Sequence, residues 1–283
     1  MGNTTTNTLP LVVSFSGGRT SAFMAKYLKD TVTDRPVLFV FANTGKERNE
    51  TLDFINRCDK EWNLNLTWVE YNCIETKSTF KVVDYDSANR NGEPFEKMII
   101  RYGLPNKMQP HCSRELKLQT ITRYLRSVGV KSGQYETAIG IRIDEVHRIN
   151  WQKAKENKYI YPLATEVRAT KEFIREWWDK QCFDLKLKDY EGNCDICWKK
   201  SDRKLLTMII ENPSMINWWN EMEIKYGKDE YTFFRSNRSA LDLVELSKQR
   251  FSKASDSHES SKSQLKFFDH ELDIEYDCFC KST

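Results

Sequence analysis

The feature that most constrains the fold is a short apolar run that ends in a glycine turn and continues into a helix. Residues 11–15 form the apolar run, residues 16–18 (Ser-Gly-Gly) form the turn, and residues 20–28 carry an apolar helical face. An apolar run of this length, bounded by turn residues, predicts a buried strand. Residues 36–42 form a second such run, typical of a strand buried on both faces of a parallel sheet.

The same alternation continues along most of the chain. Further strands are predicted over residues 66–71 and 138–143, and further helices over residues 47–62, 114–128, 171–178, 202–210 and 214–226. Strands that alternate with helices predict an α/β fold with a doubly wound, mostly parallel sheet. The predicted organisation is a leader (1–10), an α/β domain (11–192), a helical region (193–250), and a polar linker with a C-terminal tail (251–283).

Charge and targeting signals narrow the functional class. The chain has 44 Lys and Arg against 41 Asp and Glu, a net charge of +3, which argues against binding nucleic acid through the field of the whole protein. No apolar stretch is long enough to span a bilayer, and the first residues lack a signal-peptide pattern. We therefore expect a cytoplasmic protein with no membrane partner, whose eight cysteines serve metal binding or catalysis rather than disulfides.

The glycine turn has the composition of an anion-binding loop. Gly17 and Gly18 permit positive φ and close approach of the backbone, and the N–H groups at the start of the following helix favour negative charge. Ser16, Thr20 and Ser21 add hydroxyl donors. The alternative is an ordinary strand-to-helix turn in which Thr20 or Ser21 caps the helix. The pattern favours phosphate binding, although it is not a Walker A sequence.

The loop SGGRTS at residues 16–21 resembles the PP-loop of the N-type ATP pyrophosphatases, which include the PAPS reductases. Similar motifs follow: FANTGKE at 41–47, in which Asn43 replaces the family's acidic residue, GIRIDE at 140–145, YPL at 161–163 and NCDIC at 193–197. The likeness covers about residues 12–219 and is closest to phage and bacterial members with iron–sulfur cysteines. It implies an adenine nucleotide alpha-hydrolase-like fold and a nucleotide site made of Ser14, Ser16, Gly17, Gly18, Arg19, Thr20, Ser21, Phe41, Asn43, Thr44, Gly140, Arg142 and Arg148.

The arginines of the third motif are suited to phosphate chemistry. Arg142 and Arg148 lie where a predicted strand passes into a loop, and a guanidinium group matches phosphate oxygens in a planar fork. Asp144 or Glu145 could orient these arginines or hold Mg²⁺. The alternative is a surface charge network of little energetic value. With the resemblance, we expect Arg142 and Ser16 to act as catalytic groups that stabilise phosphate charge.

The cysteines fall into two predicted groups. Cys194 and Cys197 form a CxxC chelate and Cys112 opens a predicted helix, where a thiolate is favoured. Spacing alone leaves zinc and an iron–sulfur cluster equally open, whereas the resemblance implies a 4Fe–4S cluster. The predicted ligands are Cys112, Cys194, Cys197 and Cys278, with Cys280 as a catalytic, sulfur-carrying thiol. The sequence leaves open the alternative in which Cys280 is the fourth ligand and Cys278 is the sulfur-carrying thiol. The remaining cysteines, Cys58, Cys73 and Cys182, are predicted to be packed core thiols.

Three functions stay open, two enzymatic ones that the resemblance implies and one from another class. The first is adenylation of an acceptor by ATP for sulfur transfer, with release of AMP and pyrophosphate. The second is PAPS or APS reduction by a cysteine thiolate, although Cys278-Phe279-Cys280 departs from the reductases' ECGLH-like motif. The third is a non-catalytic nucleotide or redox sensor. The implied partners are an adenine nucleotide, a nucleic-acid or small-molecule acceptor, a thioredoxin-like or cysteine-desulfurase donor, and a second copy of the chain in a homodimer.

Overall fold

A computed structural model describes residues 9–106, 108–227, 233 and 238–256 of the 283-residue chain. The strands are β1 Leu11–Ser14, β2 Val37–Asn43, β3 Thr67–Ile74, β4 Lys77–Val83, β5 Glu136–Ala138 and β6 Tyr159–Ile160. They form one six-stranded sheet in the order β4-β3-β2-β1-β5-β6. Every neighbouring pair is parallel except the β3–β4 hairpin. The predicted α/β class with a mostly parallel sheet is confirmed.

Ten α-helices lie within the described residues. They are α1 Arg19–Thr31, α2 Asn49–Trp62, α3 Glu93–Tyr102, α4 Thr120–Ser127, α5 Trp151–Asn157, α6 Pro162–Thr165, α7 Lys171–Trp178, α8 Asp202–Glu211, α9 Asn217–Tyr226 and α10 Ala240–Ser247. A π-helical segment, Cys112–Gln119, runs directly into α4, and 3-10 turns occupy Ile143–Arg148 and Pro213–Ile216. Within these ranges, none of the helices has both the length and the apolar character needed to cross a bilayer.

The alternation of side chains along β1 explains why helices cover both faces of the sheet. Leu11 and Val13 point into the cluster that the sheet shares with α1, α2 and α7. Val12 points to the opposite face, where it packs with Ile121 and Leu125 of α4. Because successive side chains of a strand point to opposite faces, a strand that is apolar throughout must be covered on both sides.

A second apolar cluster joins the later helices to the sheet. It contains side chains of α3, α8, α9 and α10 and includes Tyr71 of β3 and Leu116 of the π-helical segment. Trp219 and Phe233, each at most 1% exposed, are among its largest members, with their ring centroids 4.9 Å apart. Aliphatic and aromatic side chains together hold these later helices against the sheet.

The strand order creates a switch point between β1 and β5. The chain leaves β1 towards β2 on one side and later returns to pair β5 on the other side. In open α/β sheets, ligands bind in the crevice outside the carboxyl ends of the strands at such a point. The loops that follow β1 and β5 both begin at this crevice, so the glycine turn and the Arg142 segment meet there.

The strand predicted over residues 138–143 is wrong, because it shares only Ala138 with the observed strand β5, Glu136–Ala138. Residues 138–143 were expected to be extended, but β5 ends at Ala138. Beyond it, Ile141 N–H donates to Ile139 O within a local turn, and Ile143 N–H donates to Ala169 O. These bonds lead the backbone away from the sheet ladder, so the apolar residues after Ala138 pack in a separate small cluster.

Candidate functional site

The turn after β1 is shaped by hydrogen bonds within the loop itself. Ser16 N–H and Oγ donate to Ser21 Oγ over 3.3 and 3.0 Å, and Ser21 Oγ donates to Gly18 O over 2.9 Å. Ser21 is only 5% exposed, whereas Ser16 is exposed at the mouth of the crevice. No side chain caps the start of α1, so its first N–H groups can face an anion. We call residues 16–21 the phosphate loop.

Gly17 is required by both conformation and space. Its φ of +85° lies in the left-handed region, and a Cβ there would lie 2.7 Å from Thr51 Cγ2 and 2.8 Å from Ile55 Cδ1. Both neighbours belong to α2 and are fully buried. The phosphate loop therefore rests directly on α2, which explains why glycine occupies this position.

Arg142 reaches from the segment after β5 to the first turn of α1. Its Nη1 donates to Thr20 Oγ1 over 3.2 Å, while Nε and Nη2 donate to the two carboxylate oxygens of Asp144 over 3.0 and 3.1 Å. Glu145 lies 3.2 Å from Nη1 and also pairs with Arg148. Partial burial opposes ionisation of Asp144, yet hydrogen bonds from Arg142 hold the pKa of this carboxyl below its usual value. The Arg142 side chain is only 15% exposed, unlike a solvated surface pair.

Arg19 points away from the phosphate loop. Its guanidinium donates to Asp184 through Nε and Nη2, at 2.7 and 2.8 Å, and to Leu185 O at 2.6 Å. The Arg19 carbonyl in turn accepts the indole N–H of Trp178 over 3.0 Å. The motif predicts phosphate binding by the Arg19 side chain. In the structure, the same side chain instead anchors the start of α1 to residues 184–185.

Two residues predicted to contact the nucleotide have buried side chains. The Phe41 ring is 1% exposed and packs against Trp68 with centroids 4.9 Å apart. Asn43 is fully buried, and its Nδ2 donates to Glu70 Oε1 over 2.6 Å and to Asn89 O over 2.8 Å. Burial raises the pKa of Glu70, and the hydrogen bonds from Asn89 and Asn43 oppose that rise. Both side chains therefore support the end of β2 and the segment after it through buried contacts.

Thr44 and Glu47 are hydrogen-bonded to each other within the segment after β2. The backbone N–H and the hydroxyl of Thr44 both donate to Glu47 Oε2 over 2.7 Å. The other carboxylate oxygen of Glu47 accepts from Cys194 Sγ over 3.5 Å and lies 3.5 Å from Lys117 Nζ. Glu47 was quoted in the sequence motif, but the sequence did not assign it to the site; its buried carboxylate connects the segment after β2 to the CxxC turn.

Asn193 attaches the CxxC turn to the phosphate loop. Its Nδ2 donates to Ser16 O over 2.7 Å, and its own carbonyl accepts from Arg48 N over 2.7 Å. Asp195 N–H donates to Lys46 O over 2.9 Å. Sequence reasoning did not predict Asn193 as a site residue, and its position directly before a chelating cysteine was the available signal.

The start of the π-helical segment lies against the residues that follow the CxxC turn. Lys199 Nζ donates to Ser113 Oγ over 2.9 Å, next to Cys112. Burial raises the pKa of the Cys112 thiol, and the positive charge of Lys199 opposes that rise. Cys112 therefore lies near the residues that follow Cys197, and a common ligand role for Cys112, Cys194 and Cys197 stays a prediction.

The described residues do not complete the predicted metal site. Among them, no group of three or more His, Cys, Asp or Glu side chains is arranged to hold a metal ion. Cys278 and Cys280 lie outside the described residues, so the ligand set stays a prediction and no chemical step is derived through a cluster. Of the other thiols, Cys58 is buried as predicted, and Cys73 is partly buried. The prediction of a packed core thiol is wrong for Cys182, which is exposed.

Comparison with known proteins decides the family. A family model described as "Phosphoadenosine phosphosulfate reductase domain" matches residues 10–158, more than half of the chain and the interval that holds both the phosphate loop and Arg142. The chain is also 33% identical over 201 residues to "Uncharacterized nin region protein ORF290" of Escherichia phage lambda, covering 69% of this chain and 67% of that protein. The chain belongs to the phosphoadenosine phosphosulfate reductase domain family.

A second relative is matched over a smaller share of its own length. The chain is 26% identical over 229 residues to "Uncharacterized protein MJ0973" of Methanocaldococcus jannaschii, which covers 78% of this chain and 49% of that protein. The chain therefore spans about half the length of this relative. Membership in the phosphoadenosine phosphosulfate reductase domain family confirms the resemblance stated from the motifs and, at the level of the family, an enzyme with a nucleotide-binding domain.

Proposed function

We propose that this family member binds ATP in the crevice between the phosphate loop and Arg142 and uses it to adenylate an acceptor for sulfur transfer. The observation that carries the proposal is the 3.2 Å contact between Arg142 Nη1 and Thr20 Oγ1, which places a guanidinium at the uncapped start of α1. A helix N-terminus and an arginine fork both favour phosphate oxygens. Together they form a site for a polyphosphate.

In the proposed reaction, negative charge develops on phosphate oxygens next to the phosphate loop and Arg142. An acceptor oxygen attacks the α-phosphorus of ATP, the bond to the oxygen that bridges the β-phosphorus breaks, and pyrophosphate leaves with that electron pair. A sulfur nucleophile then displaces AMP from the acceptor. The phosphate-loop N–H groups, Ser16 and Arg142 stabilise the negative charge as it develops, which is the dominant catalytic task in such transfers. Mg²⁺ would accompany the triphosphate and neutralise part of its charge.

Asp144 and Glu145 orient Arg142 in this proposal. Asp144 engages Nε and Nη2 of the guanidinium, and Glu145 lies against Nη1, the nitrogen that also donates to Thr20 Oγ1, so the contacts fix the plane of the guanidinium in the crevice. An arginine held in this way loses less conformational freedom when it binds phosphate, and it therefore contributes more to transition-state binding. Since both carboxylates are already paired with arginines, their first role is orientation.

The test measures nucleotide binding and product release with the full chain. ATP, PAPS and APS compete for binding to the purified protein, and AMP and pyrophosphate are measured with ATP, Mg²⁺ and candidate acceptors. Arg142→Ala should weaken ATP binding by about tenfold or more, because a charge-assisted contact is lost. The matched control is Arg35→Ala, which also breaks an ion pair, with Glu136, but at the amino ends of the strands. Equal ATP affinity in both variants would contradict the proposal.

A second candidate, sulfonucleotide reduction, is favoured by the family match. A cysteine thiolate would attack the sulfur of PAPS, the S–O bond to the nucleotide would break, and adenosine 3′,5′-bisphosphate would leave. A thioredoxin-like thiol would then attack that cysteine and release sulfite. The predicted nucleophile, Cys280, lies outside the described residues. Release of sulfite from PAPS, abolished in Cys280→Ser, would support this candidate, whereas nucleotide binding without turnover would support a sensor.

A further inference from the structure

Strand β3 carries one buried carboxylate, Glu70, inside an otherwise mostly apolar sheet. Glu70 is 4% exposed, and its Oε1 accepts two hydrogen bonds of 2.6 Å, from Asn43 Nδ2 and from Asn89 N. Asn43 is the last residue of β2, and Asn89 belongs to the loop before α3. A buried carboxyl group is costly unless it is hydrogen-bonded, so this one oxygen fixes two loops relative to each other.

The Asn43 side chain is fully committed to this arrangement. Its two N–H groups donate to Glu70 and to Asn89 O, and its Oδ1 accepts from Gly45 N over 3.1 Å. Gly45 has a φ of +77°, so this last bond shapes the turn that leads to Glu47. An amide with no remaining donor cannot also donate to a nucleotide. Asn43 therefore acts on the site through the backbone that it holds.

The segment that Asn43 holds is attached to the phosphate loop. The β2 and β1 strands are parallel neighbours, and Phe15 N–H donates to Val40 O over 3.0 Å just before the phosphate loop begins. After Gly45, Lys46 and Arg48 bond to the backbone of residues 193–195, and Asn193 Nδ2 reaches Ser16 O. The contacts run without a gap from Glu70 to the loop that would hold phosphate.

We propose that Glu70 is a positioning residue for the nucleotide site, acting through Asn43 on residues 43–47 and so on the phosphate loop. This inference rests on the proposed nucleotide binding and adds a residue that does not touch the nucleotide. It also explains why an amide stands at position 43. An aspartate there would put a second carboxylate 2.6 Å from Glu70, and two carboxylates at that separation cannot both ionise. Asn43 and Glu70 are a matched pair.

The test exchanges the two groups. Asn43→Asp should weaken ATP binding by about tenfold or more, since it removes the amide donor to Glu70 and Asn89 O and sets two carboxyl groups against each other. The double variant Asn43→Asp/Glu70→Gln should recover part of the affinity, because the amide nitrogen introduced on β3 can donate to the new carboxylate while the amide oxygen still accepts from Asn89 N. Recovery should stay incomplete, because no donor at position 43 then faces Asn89 O. Glu70→Gln alone keeps the acceptor and should stay close to wild type, whereas Glu70→Leu removes it and should lose affinity.

The control separates positioning from general stability. Glu223 is a comparable carboxylate that accepts from Phe233 N and Ala240 N over 3.0 and 2.6 Å, within the helical region. Glu223→Leu should lower Tm and leave ATP affinity unchanged. If the wild-type protein binds none of ATP, PAPS and APS, the proposed function fails and this inference fails with it. If the wild type binds but Asn43→Asp binds equally well, or the double variant shows no recovery, only the positioning role is overturned.

Discussion

Replacement of Gly17 by alanine tests how tightly the phosphate loop is built onto α2. The new Cβ would lie 2.7 Å from Thr51 Cγ2 and 2.8 Å from Ile55 Cδ1, in a backbone with a φ of +85°. Gly129 supplies the matched control, because its φ is +87° and nothing lies within 4 Å of its added Cβ. The two substitutions share the conformational cost and differ in the steric one.

The two costs have different magnitudes. A non-glycine residue in the left-handed region loses about 1–2 kcal/mol of stability, and this applies to both positions. Overpacking a filled site adds about 1–3 kcal/mol, and this applies only to Gly17. Thr51 and Ile55 are both fully buried, so neither methyl group can move into solvent to relieve the contact. We therefore expect Gly17→Ala to cost about 2–5 kcal/mol and Gly129→Ala about 1–2 kcal/mol.

Urea unfolding followed by circular dichroism measures both free energies, provided that the m values match. Thr51→Ser removes the nearer methyl group, so the double variant Gly17→Ala/Thr51→Ser should be more stable than the sum of the single changes predicts. Gly17→Ala should also weaken ATP binding, because the loop must shift to accept the Cβ. A Gly17→Ala cost no larger than that of Gly129→Ala would refute the steric reasoning.

Three further outcomes are expected. Burial opposes ionisation of Glu115, but Arg123 and Arg114 outweigh it and hold its pKa low, so Glu115→Gln should lose about 1–3 kcal/mol at pH 7 in urea unfolding. The stability difference between the wild type and Glu115→Gln should vanish as pH falls through the lowered pKa of Glu115, because the side chain at position 115 is then neutral in both proteins. Exposed Cys182 should react with a thiol reagent in the native protein and buried Cys58 only after unfolding, as peptide mapping would show. Anaerobically purified protein should contain iron and acid-labile sulfide that Cys197→Ala removes; stoichiometric zinc in colourless protein would contradict the cluster.

The sequence was sufficient for the parts of the fold that local patterns determine. Residues 11–15 and 36–42 were predicted as strands and form β1 and β2. Both are buried on two faces, and a continuous apolar run is the signal that such strands leave. The glycine turn and Arg142 could be placed together because β1 and β5 end at the same edge of a parallel sheet. The sequence therefore predicted that the glycine turn and Arg142 lie close together in the candidate site.

The direction of individual side chains was not predictable, because their partners lie far along the chain. Arg19 follows the two glycines of the loop, yet its guanidinium binds Asp184, which is 165 residues later. Asn43 belongs to a recognisable motif, yet its partner Glu70 is 27 residues away on the next strand. Both contacts depend on tertiary packing, which neither propensity nor motif spacing encodes. A motif can therefore locate a segment in the site without showing which of its side chains face the ligand.

The CxxC turn has a structural role that does not depend on a metal. Asn193 and Asp195 attach it to the phosphate loop and to the segment after β2 through hydrogen bonds of 2.7–2.9 Å. Cys194 adds a bond in which its thiol donates to Glu47 over 3.5 Å. A metal-bound thiolate has no proton to donate, so this bond and ligation at Cys194 are alternatives. If Cys194 bound a metal, the buried Glu47 carboxylate would lose the hydrogen bond from the thiol and keep its contacts with Thr44 and Lys117. Metal binding at Cys194 would therefore alter the hydrogen bonding of the segment after β2.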